Sequence, residues 1–497
     1  MNIPSSRVTA AALAICLTRC AVDGGSPNAA PELRTPPPRP ATARGLARRR
    51  PNIVFILSDD LDMAAMEFLP RVQAQLVARG ASFANAFSAT PLCCPSRASL
   101  LTGQYAHNHG VLTNGGPSRS CFEDFRDSGR ERLALPQWLK SAGYRTAFVG
   151  KYLNRYPGVD PASDQGYVPP GWDDWHATFA EGTAECPSCA YYDYAMNDNG
   201  QVVSFGHRDA DYLTDVIAER AVGFIKDARR AGDAPFFLWV APSAPHTPAS
   251  PAARHEGAYG DQRAPRTPNF NEEDVEDKPT WLRAQPRLSA EEEVEVDGLF
   301  RDRIESMLSV DEAVEKLVNA VAALGELEDT YFIFTSDNGF LMGPHRFPTG
   351  KEAPYEESIR VPLVIAGPGV PAGTLRQDVL NIDLPATIAE IAQATPTGPV
   401  DGRSLVPLFS GSPAWRTDLL LEFEARTAGG IPSWTGLRTD DWIFVDYPAV
   451  AEREYYDLKA DPFQLENRAG SLAADRLATL MTRLDRLQGC SGASCRN

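Results

Sequence analysis

The chain lacks three things. It has no apolar run long enough to span a bilayer, no excess of positive charge, and no HxxH pair or dense cysteine cluster of the kind that holds zinc. The formal net charge of −17 argues against a nucleic-acid binder, which would carry a dominant basic stripe. It leaves an anionic substrate open, because a few Arg and Lys residues inside a cleft can outweigh the global field. A disordered composition is absent too: with 43% hydrophobic and 23% charged residues the chain is an ordinary globular protein. Its 497 residues show no internal repeat and suit one large α/β core with a smaller companion.

What is present begins with "MNIPSSRVTAAALAICLTRC", read as an export signal over residues 1–20, with Arg7 ahead of the apolar stretch Val8 to Leu17. The expected location is therefore outside the cytoplasm, secreted or periplasmic. Cys20 offers a lipid-anchor position, although Arg19 is a poor neighbour for one; the alternative is a plain cleaved signal. Residues 21–50, rich in Pro, Ala and Arg, read as a linker without a core-forming pattern. Nine cysteines fit an oxidising compartment. Cys186 with Cys189 and Cys490 with Cys495 form two local pairs, as disulfides in preference to a shared zinc site. Cys94 is matched with Cys121 as a guess, which leaves Cys93 unpaired.

"NIVFIL" (52–57) is a continuous apolar run ending in Asp59 and Asp60, the pattern of a buried strand with carboxylates at its C-terminal end. Further strands are expected at 145–150, 235–241 and 331–336, separated by amphipathic helices such as those around 211–228 and 310–321. "EFLPRVQAQLVARG" reads as one helix closed by Gly80 as its C-cap. Strands alternating with helices mean a mostly parallel sheet covered on both faces, with ligands beyond the strand C-termini. From about 412 the texture changes to short antiparallel strands and a closing helix near 471–488. The expected division is a catalytic domain over 51–411 and a small C-terminal antiparallel-sheet domain over 412–497.

The chemistry-bearing residues gather at those strand ends. Asp59, Asp60, Asp337 and Asn338 form a hard oxygen set suited to Ca²⁺, with Mg²⁺ second. Arg97 lies one turn into the helix after Cys93, Lys151 directly follows a strand, and Lys351 follows the acidic loop. A divalent cation ringed by fixed positive side chains is built to grip a tetrahedral oxyanion. His246, in a loop beyond a strand end, is the first candidate for proton transfer and His345 the second. His107 and His109 follow the Cys93 helix closely enough to reach the same pocket; the alternative for each of these histidines is a hydrogen-bonded loop side chain.

"CCPSRASLLTG" (93–103) resembles the signature of the type I sulfatases, and "SDD", "GKYLN", "APSAPH", "SDNG", "GKEAPYEESIRVPLVI" and "YYDLKADPFQLEN" follow in the expected order. The likeness spans roughly 51–488, and "PPGWDDWHA" and "DKPTWLR" look most like the N-acetylglucosamine-6-sulfatase branch and its bacterial relatives. The resemblance implies an alkaline-phosphatase-like fold and a sulfuric ester hydrolase acting on sulfated sugars, such as 6-sulfated N-acetylglucosamine, and on aryl sulfates. It implies that a maturation enzyme oxidises Cys93 to Cα-formylglycine, whose hydrate attacks sulfur with one hydroxyl and expels sulfate with the other. It also implies that Asp59, Asp60, Asp337 and Asn338 hold Ca²⁺ together with the modified Cys93. Arg97 would polarise the diol, Lys151 and Lys351 would bind sulfate, and His246 would orient or protonate the leaving oxygen.

Many sulfatases carry a histidine where this chain has Leu153; Asn154 or His109 would substitute, or the step runs differently. Two other readings compete. One is a phosphatase or phosphodiesterase of the same frame, which would usually show a Ser or Thr nucleophile and histidine-rich zinc sites. The other is a protein that binds sulfated glycans without cleaving them. Trp172, Trp175, Tyr191, Tyr192 and Trp281 either stack on sugar rings or pack into the core.

Overall fold

The computed structural model describes residues 50–116, 119–159, 163–179, 191–411, 414–425 and 430–496. The proposed signal, Cys20, the linker to residue 49 and the Cys186–Cys189 pair lie outside the described residues. A ten-stranded sheet forms the centre. Its order is Gly373–Leu375, Ala81–Phe83, Leu363–Ala366, Thr330–Ser336, Asn52–Ser58, Phe236–Ala241, Arg145–Gly150, Asp174–Thr178, Ala195–Asp198 and Gln201–Ser204. The five strands from Thr330–Ser336 to Asp174–Thr178 are parallel, and antiparallel pairs adjoin them on both sides. The sheet is thus mixed and mostly parallel at its core, as the apolar runs imply.

Strand alternation divides the core into two layers. Val54, Ile56, Leu238, Val240, Phe332 and Phe334 face the helices Leu213–Arg230 and Ala290–Ala323. Ile53, Phe55, Leu57, Phe237, Trp239 and Ile333 face the opposite side, against the helices Cys93–Thr102, Leu135–Ser141 and Asp383–Ala392. Successive side chains of a strand point to opposite faces, so a strand apolar at every position must be covered twice. All seven residues of Asn52–Ser58 are buried.

The segment read as one helix ending at Gly80 breaks into three pieces: Ala64–Phe68, Pro70–Gln75 and Val77–Arg79. Pro70 opens a new helix, because proline cannot donate within a continuing one. Gly80 is extended, with φ −132°, and so is no left-handed cap. A Cβ there would meet the Ile365 carbonyl oxygen at 2.2 Å, so close backbone approach is what requires glycine.

C-terminally, Leu419–Phe423, Trp434–Arg438, Trp442–Tyr447 and Glu452–Asp457 form a four-stranded antiparallel sheet. Helix Ala474–Gln488 buries Leu480, Leu484 and Leu487. These residues share one apolar cluster with Phe87, Tyr105, Leu341 and Tyr355 of the preceding chain. The fold is that expected: a large, mostly parallel sheet flanked by helices, followed by a smaller antiparallel sheet.

The aromatic side chains left open between sugar stacking and core packing are core. Trp172 and Trp175 pack with Phe148 and Trp239, Tyr191 and Tyr192 join the opposite layer, and Trp281 lies against the C-terminal cluster. Four of the five are less than a tenth exposed. Cys94 pairs with Cys121, with Cα atoms 6.5 Å apart, and Cys490 pairs with Cys495.

Candidate active site

Three parallel strands and one helix start converge on a single buried point. The strand Asn52–Ser58 delivers Asp59 and Asp60, its neighbour Thr330–Ser336 delivers Asp337 and Asn338, and Arg145–Gly150 delivers Lys151. Cys93 is the first residue of helix Cys93–Thr102, so its side chain sits at the positive helix end. The loop after Phe236–Ala241 carries His246. This is the region beyond the C-terminal strand edge where open α/β sheets place ligands.

Among the described residues Cys93 is the free cysteine, and it is buried. Its Sγ lies 3.4 Å from Asp59 Oδ1 and 3.8 Å from Asp60 Oδ1, and Lys351 Nζ donates to it at 2.7 Å. Lys351 also donates to Asp60, and Lys151 to Asp59. Arg97 donates through Nε to Asp337 at 2.8 Å and through Nη1 to the Lys151 carbonyl at 2.6 Å. Three carboxylates thus meet three permanent cations, all buried except Lys351, which is partly exposed. Asp59, Asp60 and Asp337 each offer an oxygen, all within 4.8 Å of one another, and Asp59, Cys93 and His246 form an overlapping group.

Burial alone would raise both strand-end acids, but the surrounding cations win. Lys151, His246, Arg97 and Lys351 hold the Asp59 carboxyl well below the usual range. Lys351 and His246 do the same for Asp60. Asp337 goes the other way, to about 6, because burial and the Asp59 charge outweigh Arg97. The Cys93 thiol is pushed well up by burial and by Asp59, so it stays protonated and a weak nucleophile. Lys351 is held charged against its own desolvation by the neighbouring acids, Asp60 first and then Asp59 and Asp337.

The donor set fits a divalent cation on one further observation. Asn338 Nδ2 donates to Asp60 Oδ1 and to the Gly339 carbonyl, yet its buried Oδ1 meets no partner. A buried amide oxygen without a donor is costly unless a water or a cation completes it, and beside three carboxylates a cation does so. Three carboxylates and an amide oxygen, all hard ligands, match Ca²⁺ or Mg²⁺ better than zinc.

His246 is about a third exposed, its Nδ1 is 2.7 Å from the Thr247 carbonyl, and its Nε2 lies 3.8 Å from Asp60. Giving the Nδ1 proton to that carbonyl leaves Nε2 open to a substrate. Burial and Lys151 lower its pKa against the pull of Asp59 and Asp60.

The other histidines do not join the cluster. His109 is wedged between Ser99 Oγ and the Val111 N–H, and burial drops its pKa to about 3. His107 is bound to Glu422 and the Cys490 carbonyl. His345 is bound by Glu272 and stacked on Tyr355 at 3.8 Å. Each is a satisfied structural histidine, because a short helix or loop that follows the site in sequence can still turn its side chains into the neighbouring core. Leu153 packs in the apolar layer with Phe148, so no imidazole stands at that position. Asn154 Oδ1 is buried without a partner.

One residue escaped the sequence reading. Arg303, 1% exposed, lies on the long helix and donates to the Asp60 carbonyl, to the Pro245 carbonyl at 3.0 Å and to Asp62 at 3.1 Å. It ties the Asp60 turn, where φ is +65°, to the loop that carries His246. The available signal was an arginine on the apolar stripe of Phe300, Ile304 and Met307.

The chain belongs to the sulfatase family: the family's model matches residues 51–394. A second model, "N-sulphoglucosamine sulphohydrolase, C-terminal", matches residues 343–489. The chain is similar to the N-acetylglucosamine-6-sulfatases of Capra hircus and Homo sapiens, each 35% identical over 488 residues. The match covers 90% of this chain and 85% and 86% of theirs, respectively. Among solved structures it is similar to a protein in complex with its substrate D-glucosamine-2-N,6-O-disulfate, at 25% identity and TM-score 0.75, covering 88% of this chain and 98% of that one. A phosphonate monoester hydrolase of Agrobacterium radiobacter shares the fold at TM-score 0.67 and 22% identity, over 88% of this chain and 95% of that one.

Proposed function

We propose that this sulfatase cleaves sulfate monoesters of sugars, 6-sulfated N-acetylglucosamine foremost, and small aryl sulfates, with Cα-formylglycine formed from Cys93 as its nucleophile. The observation that carries the reading is the unpaired Cys93 at a helix start, buried among three carboxylates and three cations. A protonated thiol is poorly matched to sulfate in such a place, whereas a hydrated aldehyde would supply one hydroxyl for attack and a second for release of the product. The named relatives support the sugar class.

Asp59, Asp60, Asp337 and the Asn338 carbonyl are the residues that would hold Ca²⁺, which would supply Lewis-acid charge at the nucleophile and the sulfate. Lys151 and Lys351 bind sulfate oxygens and offset the charge that develops there. Arg97, fixed by Asp337 and the Lys151 carbonyl, holds and polarises the group at position 93. His246 orients or protonates the leaving oxygen at Nε2. Residues 51–411 form the catalytic domain in this reading and 412–497 a C-terminal one. The N-terminal signal exports the chain, and a maturation enzyme converts Cys93. Among the described residues no helix is long and apolar enough to cross a membrane.

The test compares nitrophenyl sulfate with nitrophenyl phosphate under added calcium, then screens sulfated monosaccharides that include the 6-sulfated glucosamines. Turnover confined to the phosphate ester defeats the reading in favour of a phosphatase. Intact-peptide mass spectrometry around Cys93 from active protein must show loss of the thiol; an unmodified cysteine there would favour a glycan-binding protein without catalysis.

A further inference from the structure

A second cleft, of about 570 Å³, opens in the C-terminal part, where Arg376–Asp378, Trp415–Thr417, Thr439–Trp442 and helix Ala474–Gln488 meet. It is separate from the Cys93 cluster. In the antiparallel pair Leu419–Phe423 and Trp434–Arg438, the end where Phe423 faces Trp434 adjoins Lys351, since Trp434 Nε1 donates to the Glu352 carbonyl. The cleft lies at the other end, where Leu419 faces Arg438. Four strand residues at about 3.3 Å each put roughly 13 Å between the two ends.

The cleft's charge is unbalanced in favour of cations. Arg376 and Arg476 form no ion pair with a carboxylate among the described residues, and Arg476 lies over the Trp442 ring at 5.0 Å. The acids in the wall are engaged: Asp378 by Arg438 at 3.2 Å, Asp440 by Asn85 at 2.7 Å, and Asp441 by Lys459 at 2.6 Å. Arg416 supplies an independent sign of a ligand. Its side chain is 3% exposed and bonded to Asp383 at 2.6 Å, yet its buried Nε has no partner. Gln377 Oε1, also lining the cleft, is likewise buried and unpartnered. Such groups sit in native structures where water or a ligand completes them. The two rings hold the guanidinium groups in place: Trp442 carries Arg476 and Arg483, and Trp415 lies against Arg403 and Arg416.

The geometry points to a second binding site, for a sulfated saccharide segment: Arg376, Arg416 and Arg476 take sulfate oxygens, with Trp442 holding Arg476 in place. Guanidinium forks suit such tetrahedral anions, and a cleft this size exceeds a single sulfate ion. The choice of a sulfated ligand rests on the proposed sugar-sulfate substrate. A site that holds one part of a polymer raises the effective concentration of another part at the catalytic pocket.

The experiment titrates a heparin-derived hexasaccharide against the full chain, against R376Q/R476Q and against Trp442→Ala, and measures nitrophenyl sulfate turnover for each. R376Q/R476Q, altered at two residues outside the core, is expected to bind about tenfold more weakly. Its kcat and KM on nitrophenyl sulfate should stay at the starting values. Trp442→Ala should weaken binding in the same direction. Unchanged hexasaccharide affinity in R376Q/R476Q overturns the site. So does equal binding of a desulfated hexasaccharide, displacement by inorganic sulfate at matched charge, or equal competition by single-stranded DNA. A converted chain that turns over no sulfate ester but still binds through Arg376 and Arg476 would sink the hydrolase reading and leave this site standing.

Discussion

Two buried clusters of ionisable groups, both enclosed by sheet and loop, behave in opposite ways. At the end of the parallel strands, Asp59, Asp60 and Asp337 crowd together, Asn338 Oδ1 and Arg97 Nη2 lack hydrogen-bond partners, and a free cysteine points into the group. In the C-terminal sheet, the fully buried Glu454 accepts hydrogen bonds from Tyr355 at 3.0 Å, from Tyr447 at 2.5 Å and from Tyr456. The second cluster is as buried and as polar as the first, but its acceptors are filled. Burial and charge therefore do not by themselves mark a site. Like charges held together with atoms left unsatisfied do, because such an arrangement persists only where something else completes it.

That contrast is sharpened first at Cys93. Cys93→Ala should abolish sulfate ester turnover, by at least about 10⁴-fold, if position 93 supplies the nucleophile. Thermal unfolding should move little, since the change trims one sulfur from a site that other contacts hold. Retained turnover would show the crowded cluster to be structural after all. Next is Asp59→Ala, expected to lower kcat/KM by about 10²–10³ and to reduce bound calcium, both measured on the same preparation. Calcium content equal to the parent would remove Asp59 from the ligand set. A rate loss without metal loss would leave it a partner of Lys151 alone.

The fold was largely legible, because its signals are local. An apolar run with no alternation announces a strand covered twice, and Asn52–Ser58 is that strand. The strand-end acids and the Cys93 helix could be placed because the sheet topology leaves one edge for them. Arg303 was not legible, since its meaning depends on which carbonyls from two distant loops come within reach of a helix. The histidines stayed open for the same reason: nearness in sequence to the Cys93 helix says nothing about direction, and His107 and His109 take the hydrogen-bonded alternative. Trp172 and Trp175 show the reverse limit, because loop aromatics read alike whether they face a ligand or, as here, Phe148. The helix expected up to Gly80 failed on a proline whose effect was local and readable.

The smallest expected effect tests the quiet cluster. Burial raises the Glu454 pKa against the tyrosine hydroxyls and Lys278. The native state then keeps a proton that the unfolded chain gives up near pH 4.5, so stability falls as pH rises from there toward the raised value. Asp59 and Asp60, held low, act with the opposite sign: they contribute stability above the unfolded carboxyl range that is lost on acidification. Glu454→Gln keeps an oxygen for the tyrosines and removes the titration. Melting curves from pH 4.5 upward should lose that part of the slope. kcat/KM should be unchanged, since Glu454 touches no member of the Cys93 cluster. Tyr355 nevertheless stacks on His345, in the same loop as Lys351. A fall in kcat/KM with calcium content intact would therefore mean that the filled network positions Lys351, and the line between the two clusters would have to be redrawn through Tyr355.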